Sequence, residues 1–234
     1  MTSSRTRTAW LLAALCSALA ATAAARPRGP VAEPEGVRLD GLAAVIGGQA
    51  PGPGVDIVLQ SDVELRARIA WVGRQQGPVD LPELPGTVLH AALQEIIGEQ
   101  LIAREARRVQ AATPSAGDIE RERARLVRSA GGQARMDALL ATLAASPEEV
   151  DAIARRRALV GAFLSANLEG VAVVTEAEAE HAYEQSKEAY EGRDRKAALV
   201  ELRGRLSREA LDRTIARWVA VLSSRTPVRI YVSY

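Results

Sequence analysis

A chain of 234 residues is long enough for one domain, or one domain with a small appendage. With 25% charged and 47% hydrophobic residues, it is neither a disordered polyelectrolyte nor a multi-span membrane protein. Thirty basic residues against 29 acidic leave +1, so global charge supplies no argument for nucleic acid or an anionic membrane as partner.

Alanine occurs 44 times and aromatics make up only 3%, which predicts an aliphatic, helical core. At the start, Arg5 and Arg7 precede an apolar stretch from Ala9 to Ala21 that ends in small residues, Ala23, Ala24 and Ala25. A charged segment, a short apolar segment and an Ala-x-Ala site are the parts of a secretory signal over residues 1–25, cleaved after Ala25 or Ala23. The stretch is shorter than the ~20 residues that span a bilayer, so no stable membrane insertion is expected after cleavage. Leu15 before Cys16 is too large for a lipidation site, and cleavage leaves a processed chain without cysteine. The expected location is periplasmic, with stability drawn from a core rather than from disulfides.

Residues 26–36 are rich in Pro and Gly and read as a flexible leader. Val37–Ile46 and Val55–Leu59 alternate like two strands around the turn-forming Gly47–Gly54 segment, giving a hairpin. Ser61 with Glu64 has the form of a capping box and opens a helix to about Trp71, with Val63, Ala67, Ala70 and Trp71 near one face. A Pro-rich loop follows, then from Thr87 the most apolar helix, with Leu89, Leu93, Ile96, Ile97, Leu101 and Ile102 at helical spacing. Ser115 with Asp118 starts a charged helix, Met136–Leu143 forms another, and Ser146-Pro147 opens a third. Val171–Val174 reads as an extended link, Thr175 starts a helix through Tyr190, and a long helix from Arg195 to Ser224 follows. In that last helix Leu199, Leu202, Leu206, Leu211, Ile215, Trp218 and Leu222 form one stripe. Val228–Val232 is a final strand. The fold class expected is mostly α: about six helices closed by a small β-sheet that joins the N-terminal hairpin to the C-terminal strand.

Val45-Ile46-Gly47-Gly48, followed by Ile57 to Glu64, resembles the opening of the SurA-like periplasmic chaperone domain. Ala92 to Arg108 is similar to that family's next helix, and Thr113-Pro114-Ser115, Val174 to Glu178 and the Trp218-to-Ile230 segment resemble its later elements in the same order. The resemblance covers residues 37–234 and implies an ATP-independent holdase for unfolded polypeptide clients, among them outer-membrane-protein precursors. The Gly47–Gly54 loop is longer than the family's tight turn. Between Tyr190 and Lys196 there is no room for the parvulin prolyl-isomerase module that family members often carry, so the chain reads as the chaperone domain alone.

Catalytic chemistry finds little support in the residues themselves. His90 and His181 lie outside any metal- or triad-like spacing, and the run of Glu176, Glu178 and Glu180 fits a helix start. No catalytic residue, metal or cofactor is expected, and the chain is not expected to be an enzyme. The arginines of residues 121–128 and 155–157 share their helices with Glu120, Glu122, Glu148, Glu149 and Asp151, which speaks for solvated helix faces and against nucleic acid. Client contact is expected at Trp71, Val72, Val79, Leu81 and Leu84, read as exposed apolar residues around the first helix and its following loop. The alternatives are a prolyl-isomerase-related protein, or a structural subunit docking on a partner.

Overall fold

The computed structural model describes residues 40–48, 51–52, 54–110, 113–168 and 174–234. The expected signal segment, the leader and Cys16 lie outside these residues, as do Val37 to Leu39 of the first expected strand. The described residues belong to one unit that begins at Leu39.

Three short strands, β1 (Leu42–Ile46), β2 (Asp56–Leu59) and β3 (Val228–Ile230), form one antiparallel sheet in the order β2-β1-β3. The hairpin and the returning C-terminal strand are therefore both present, with β1 between them. Val45 stands opposite Ile57 on one side and Arg229 on the other; Ala44 stands opposite Val58 and Ile230. Opposed residues share a face, so Ala44, Ile46 and Val58 turn inward, and Val45 shares the outer face with Ile57 and Arg229. Backbone bonds extend the pairing past the strands: Gly47 N–H donates to Pro227 O at 2.8 Å, and Tyr231 N–H to Ala43 O at 2.9 Å.

Seven α-helices follow among the described residues: α1 (Gln60–Val72), α2 (Gly86–Val109), α3 (Ala116–Ser129), α4 (Gln133–Leu143), α5 (Pro147–Leu168), α6 (Glu176–Gln185) and α7 (Arg195–Arg225). Ser115 caps α3 and Thr175 caps α6 through reciprocal bonds with Asp118 and Glu178, as their spacing predicts. At α1 the start lies earlier than the Ser61–Glu64 spacing suggests. Leu59 N–H donates to Asp62 at 2.9 Å, while Ser61 is taken by Asp40 and Glu64 by Arg68. Helix α6 stops at Gln185 rather than running to Tyr190. A 3-10 turn over Lys187–Tyr190 brings the Tyr190 ring back to Tyr183, with 5.7 Å between centroids.

Two apolar cores meet at α1. Val63 and Ala67 join the inner sheet face, Leu93, Ile97 and Leu101 of α2, and Phe163 of α5. Leu65, Ile69 and Val72 turn the other way, onto Leu126 of α3, Met136 and Leu139 of α4 and Ile153 of α5. The single apolar stripe expected for α1 is thus replaced by burial on two sides, with Ala70 left exposed. Sandwiching between the two cores hides even Arg66 and Arg68.

Helix α7 is shared differently. Its first half packs with α6 and the 3-10 turn around Tyr183, Tyr190, Ala198 and Leu202, a third small core. Its second half lays Ile215, Trp218 and Leu222 on the main core beside α2, with Trp218 5.0 Å from the Phe163 ring centroid. The arm formed by α6 and the first half of α7 is fastened at its base where Arg203 Nε donates to Val174 O at 2.9 Å.

Candidate functional site

The surface expected to meet clients is, in the structure, largely interior. Val72 is 0% exposed in the second core and Leu84 6% exposed in the first, while Val79 and Leu81 lie half buried against the second. Trp71 is half buried against the main core, with its indole Nε1 enclosed and Arg74 stacked 5.9 Å from the ring. The expectation of exposure fails because the Pro-rich loop is pinned from below. Arg68 donates to Pro82 O at 2.6 Å, Arg135 reaches Gly77 O at 2.7 Å and Val72 O at 2.6 Å, and Gln75 clasps Asp80 through its backbone. Guanidinium groups that satisfy loop carbonyls draw the loop onto the helices, and its apolar side chains follow.

Open apolar surface lies elsewhere. Where the end of α5 passes the middle of α7, Ala162, Leu164, Ala166, Leu168 and Leu211 line a groove of about 660 Å³. The groove exists because the α7 stripe serves two separate cores. Leu202 and Leu206 belong to the arm, Ile215 and Trp218 to the main core, and Leu211 falls between them beside Leu164 and Leu168. A volume of this size holds two or three aliphatic side chains, and its lining offers shape and dispersion rather than charge.

Further exposed apolar residues lie on the outer strands of the sheet and at the chain's end. Ile57, Leu59, Ile230, Tyr231 and Tyr234 are all exposed, and Ile230 reaches 46%. Alternation in the sequence places Ile57, Leu59 and Ile230 in strands but carries no sign of their exposure.

The most charged junction of the interior joins α1, α2 and α5. Glu99 accepts from Arg66 and from Arg157 Nε at 3.0 Å, while Arg156 Nε stands 3.6 Å from it, an ion pair beyond hydrogen-bonding reach. Arg66 is 5% exposed with Nε and Nη1 unpartnered, and burial lowers its pKa against the opposing pull of Glu99. An arginine stays protonated under such a shift, so the cluster transfers no proton; its effect is to tie α1, α2 and α5 together. His90 and His181 are both exposed, the latter beside Gln185 at 3.0 Å. Among the described residues no group of three or more His, Cys, Asp or Glu could hold a metal, and no helix is long and apolar enough to cross a membrane.

No protein-family model matches the chain, and no curated protein matches it either.

Proposed function

We propose that the protein is an ATP-independent holdase of the periplasm, which binds unfolded polypeptide, including outer-membrane-protein precursors, and performs no covalent chemistry. The observation that carries this reading is the groove between α5 and α7, lined by Leu164, Leu168 and Leu211 and left open among the described residues beside a self-contained arm. The resemblance of the helix order to SurA-like chaperones and the secretory form of residues 1–25 point the same way.

Its energetics suit holding rather than folding. Burying two or three aliphatic side chains yields on the order of 25 cal/mol per Å² of apolar area, a few kcal/mol in total, before the cost of association is subtracted. Contacts of that strength release a client readily and require no nucleotide.

The test is light scattering of an unfolded outer-membrane barrel protein diluted from denaturant. The processed chain is expected to delay aggregation at equimolar ratio, and Leu168→Asp with Leu211→Asp to abolish the delay while the far-ultraviolet circular dichroism stays unchanged. An absence of delay at tenfold excess would sink the proposal. In a proline-peptide assay, isomerisation is expected at the uncatalysed rate; acceleration would favour an isomerase-related protein instead.

A further inference from the structure

We propose that the outer edge of β3 is a docking site for an extended polypeptide segment, which adds to the sheet as a fourth, antiparallel strand and carries a carboxylate opposite Arg229. The proposal deepens the holdase reading and rests on it for the source of the segment.

Backbone geometry comes first. Pro227 O accepts from Gly47 N–H, Arg229 pairs with Val45, and Tyr231 N–H donates to Ala43 O. Residues 227, 229 and 231 therefore direct their peptide groups at β1, and the period of two directs those of Val228 and Ile230 to the opposite side. Among the described residues no strand lies there, because the order ends at β3. Two N–H and two C=O groups thus stand ready along the edge.

Edge strands usually carry protection against such pairing: lysines, a bulge, or a proline on the open side. Pro227 sits next to this strand, but its peptide group belongs to the side facing β1, so its missing N–H does not blunt the open edge. Ile230 on the same edge is 46% exposed.

Charge then selects the occupant. A second copy of the chain, paired symmetrically through Val228 and Ile230, would set Arg229 directly opposite its own counterpart. That position is a non-hydrogen-bonded pair, where Cα atoms approach to about 4.5 Å and like charges repel. Arg229 makes no ion pair among the described residues. The complementary strand reads apolar–acidic–apolar, with apolar residues beside Val228 and Ile230 and the carboxylate between them.

Fluorescence anisotropy of the full chain with a labelled seven-residue peptide centred on Val-Glu-Val tests this. Methylating both valine amides, which would face the edge, is expected to weaken binding about tenfold or more, as is replacing the glutamate by lysine. Arg229→Glu is expected to invert the glutamate-over-lysine preference. Ile230→Pro is expected to abolish binding without touching the bonds to β1; the methylated peptide gives the same information on the unaltered protein if that variant misfolds. Equal binding of methylated and unmethylated peptides, or a light-scattering dimer that Ile230→Pro dissociates, overturns the proposal. Delayed client aggregation without edge-dependent peptide binding overturns it too and leaves the holdase reading standing. Edge-dependent binding without delayed aggregation supports the strand site and removes the holdase reading.

Discussion

Arg66 and Glu99 meet at the junction of α1 and α2, and the same carboxylate also takes Arg157 and Arg156 of α5. One anion thus organises three cations from two helices. Removing it leaves Arg66 enclosed without its hydrogen-bond partner. Glu99→Gln is expected to destabilise the fold by about 3 kcal/mol or more, since breaking a buried pair strands the remaining charge. Guanidinium unfolding checks it, together with a rescue: Arg66→Met combined with Glu99→Leu should recover most of the loss. A cost near zero for Glu99→Gln would mean that the cluster behaves as a surface pair.

The helix order, the hairpin and the returning strand were legible because each rests on a local signal: proline at the first turn of α5, reciprocal caps at α3 and α6, alternation in β1 and β2. The groove was not, since the stripe from Leu199 to Leu222 reads as one continuous face. Only the arrangement of neighbours divides it into two packed segments and an open middle at Leu211. Val72 and Leu84 misled for the reverse reason. The end of α1 and the loop after it look solvent-facing until Arg68 and Arg135, ordinary surface residues by type, are found holding their carbonyls. The role of an arginine depends on distant partners that spacing does not reveal.

Close approach of backbones predicts a sharp contrast between two glycines. A Cβ at Gly73 would fall 1.8 Å from the Ser129 carbonyl oxygen, where the end of α1 crosses the end of α3. Gly73→Ala is expected to cost about 1–3 kcal/mol as the helices are forced apart. At Gly161, inside α5, a Cβ would have no neighbour within 4 Å among the described residues, so Gly161→Ala is expected to stabilise by roughly 0.5–1 kcal/mol through helix propensity. Urea midpoints of opposite sign check the pair.

Two caps predict the acid limb of stability. Hydrogen bonds from the Ser115 side chain and backbone lower the Asp118 pKa, and those from the Thr175 backbone and side chain lower that of Glu178. A carboxylate with a depressed folded-state pKa contributes stability above its unfolded value of about 4, and that contribution is lost as pH falls through the folded value. Asp118→Asn and Glu178→Gln are expected to flatten the decline of stability below pH 4 and to lower stability at pH 7. Unfolding curves collected from pH 7 to pH 2 supply the measurement; an unchanged acid slope in both variants would contradict the assignment.

The arm has its own small core, which predicts separable stability. Leu202 is fully buried against Tyr183 and Tyr190. Leu202→Ala is expected to cost about 2–5 kcal/mol locally, enough to open a unit of this size. Hydrogen exchange should accelerate over residues 176–206 and stay unchanged in α2. Uniform acceleration across the chain would show that arm and body unfold together.

The pairing of Ala44 with Ile230 has a kinetic consequence. The middle strand of the sheet must wait for a neighbour synthesised after all seven helices, so closing the sheet spans a very long loop and belongs to the slow end of folding. Until then the nascent hairpin presents one side of β1 unzipped, and whatever keeps that side from pairing with other chains governs the yield of native protein.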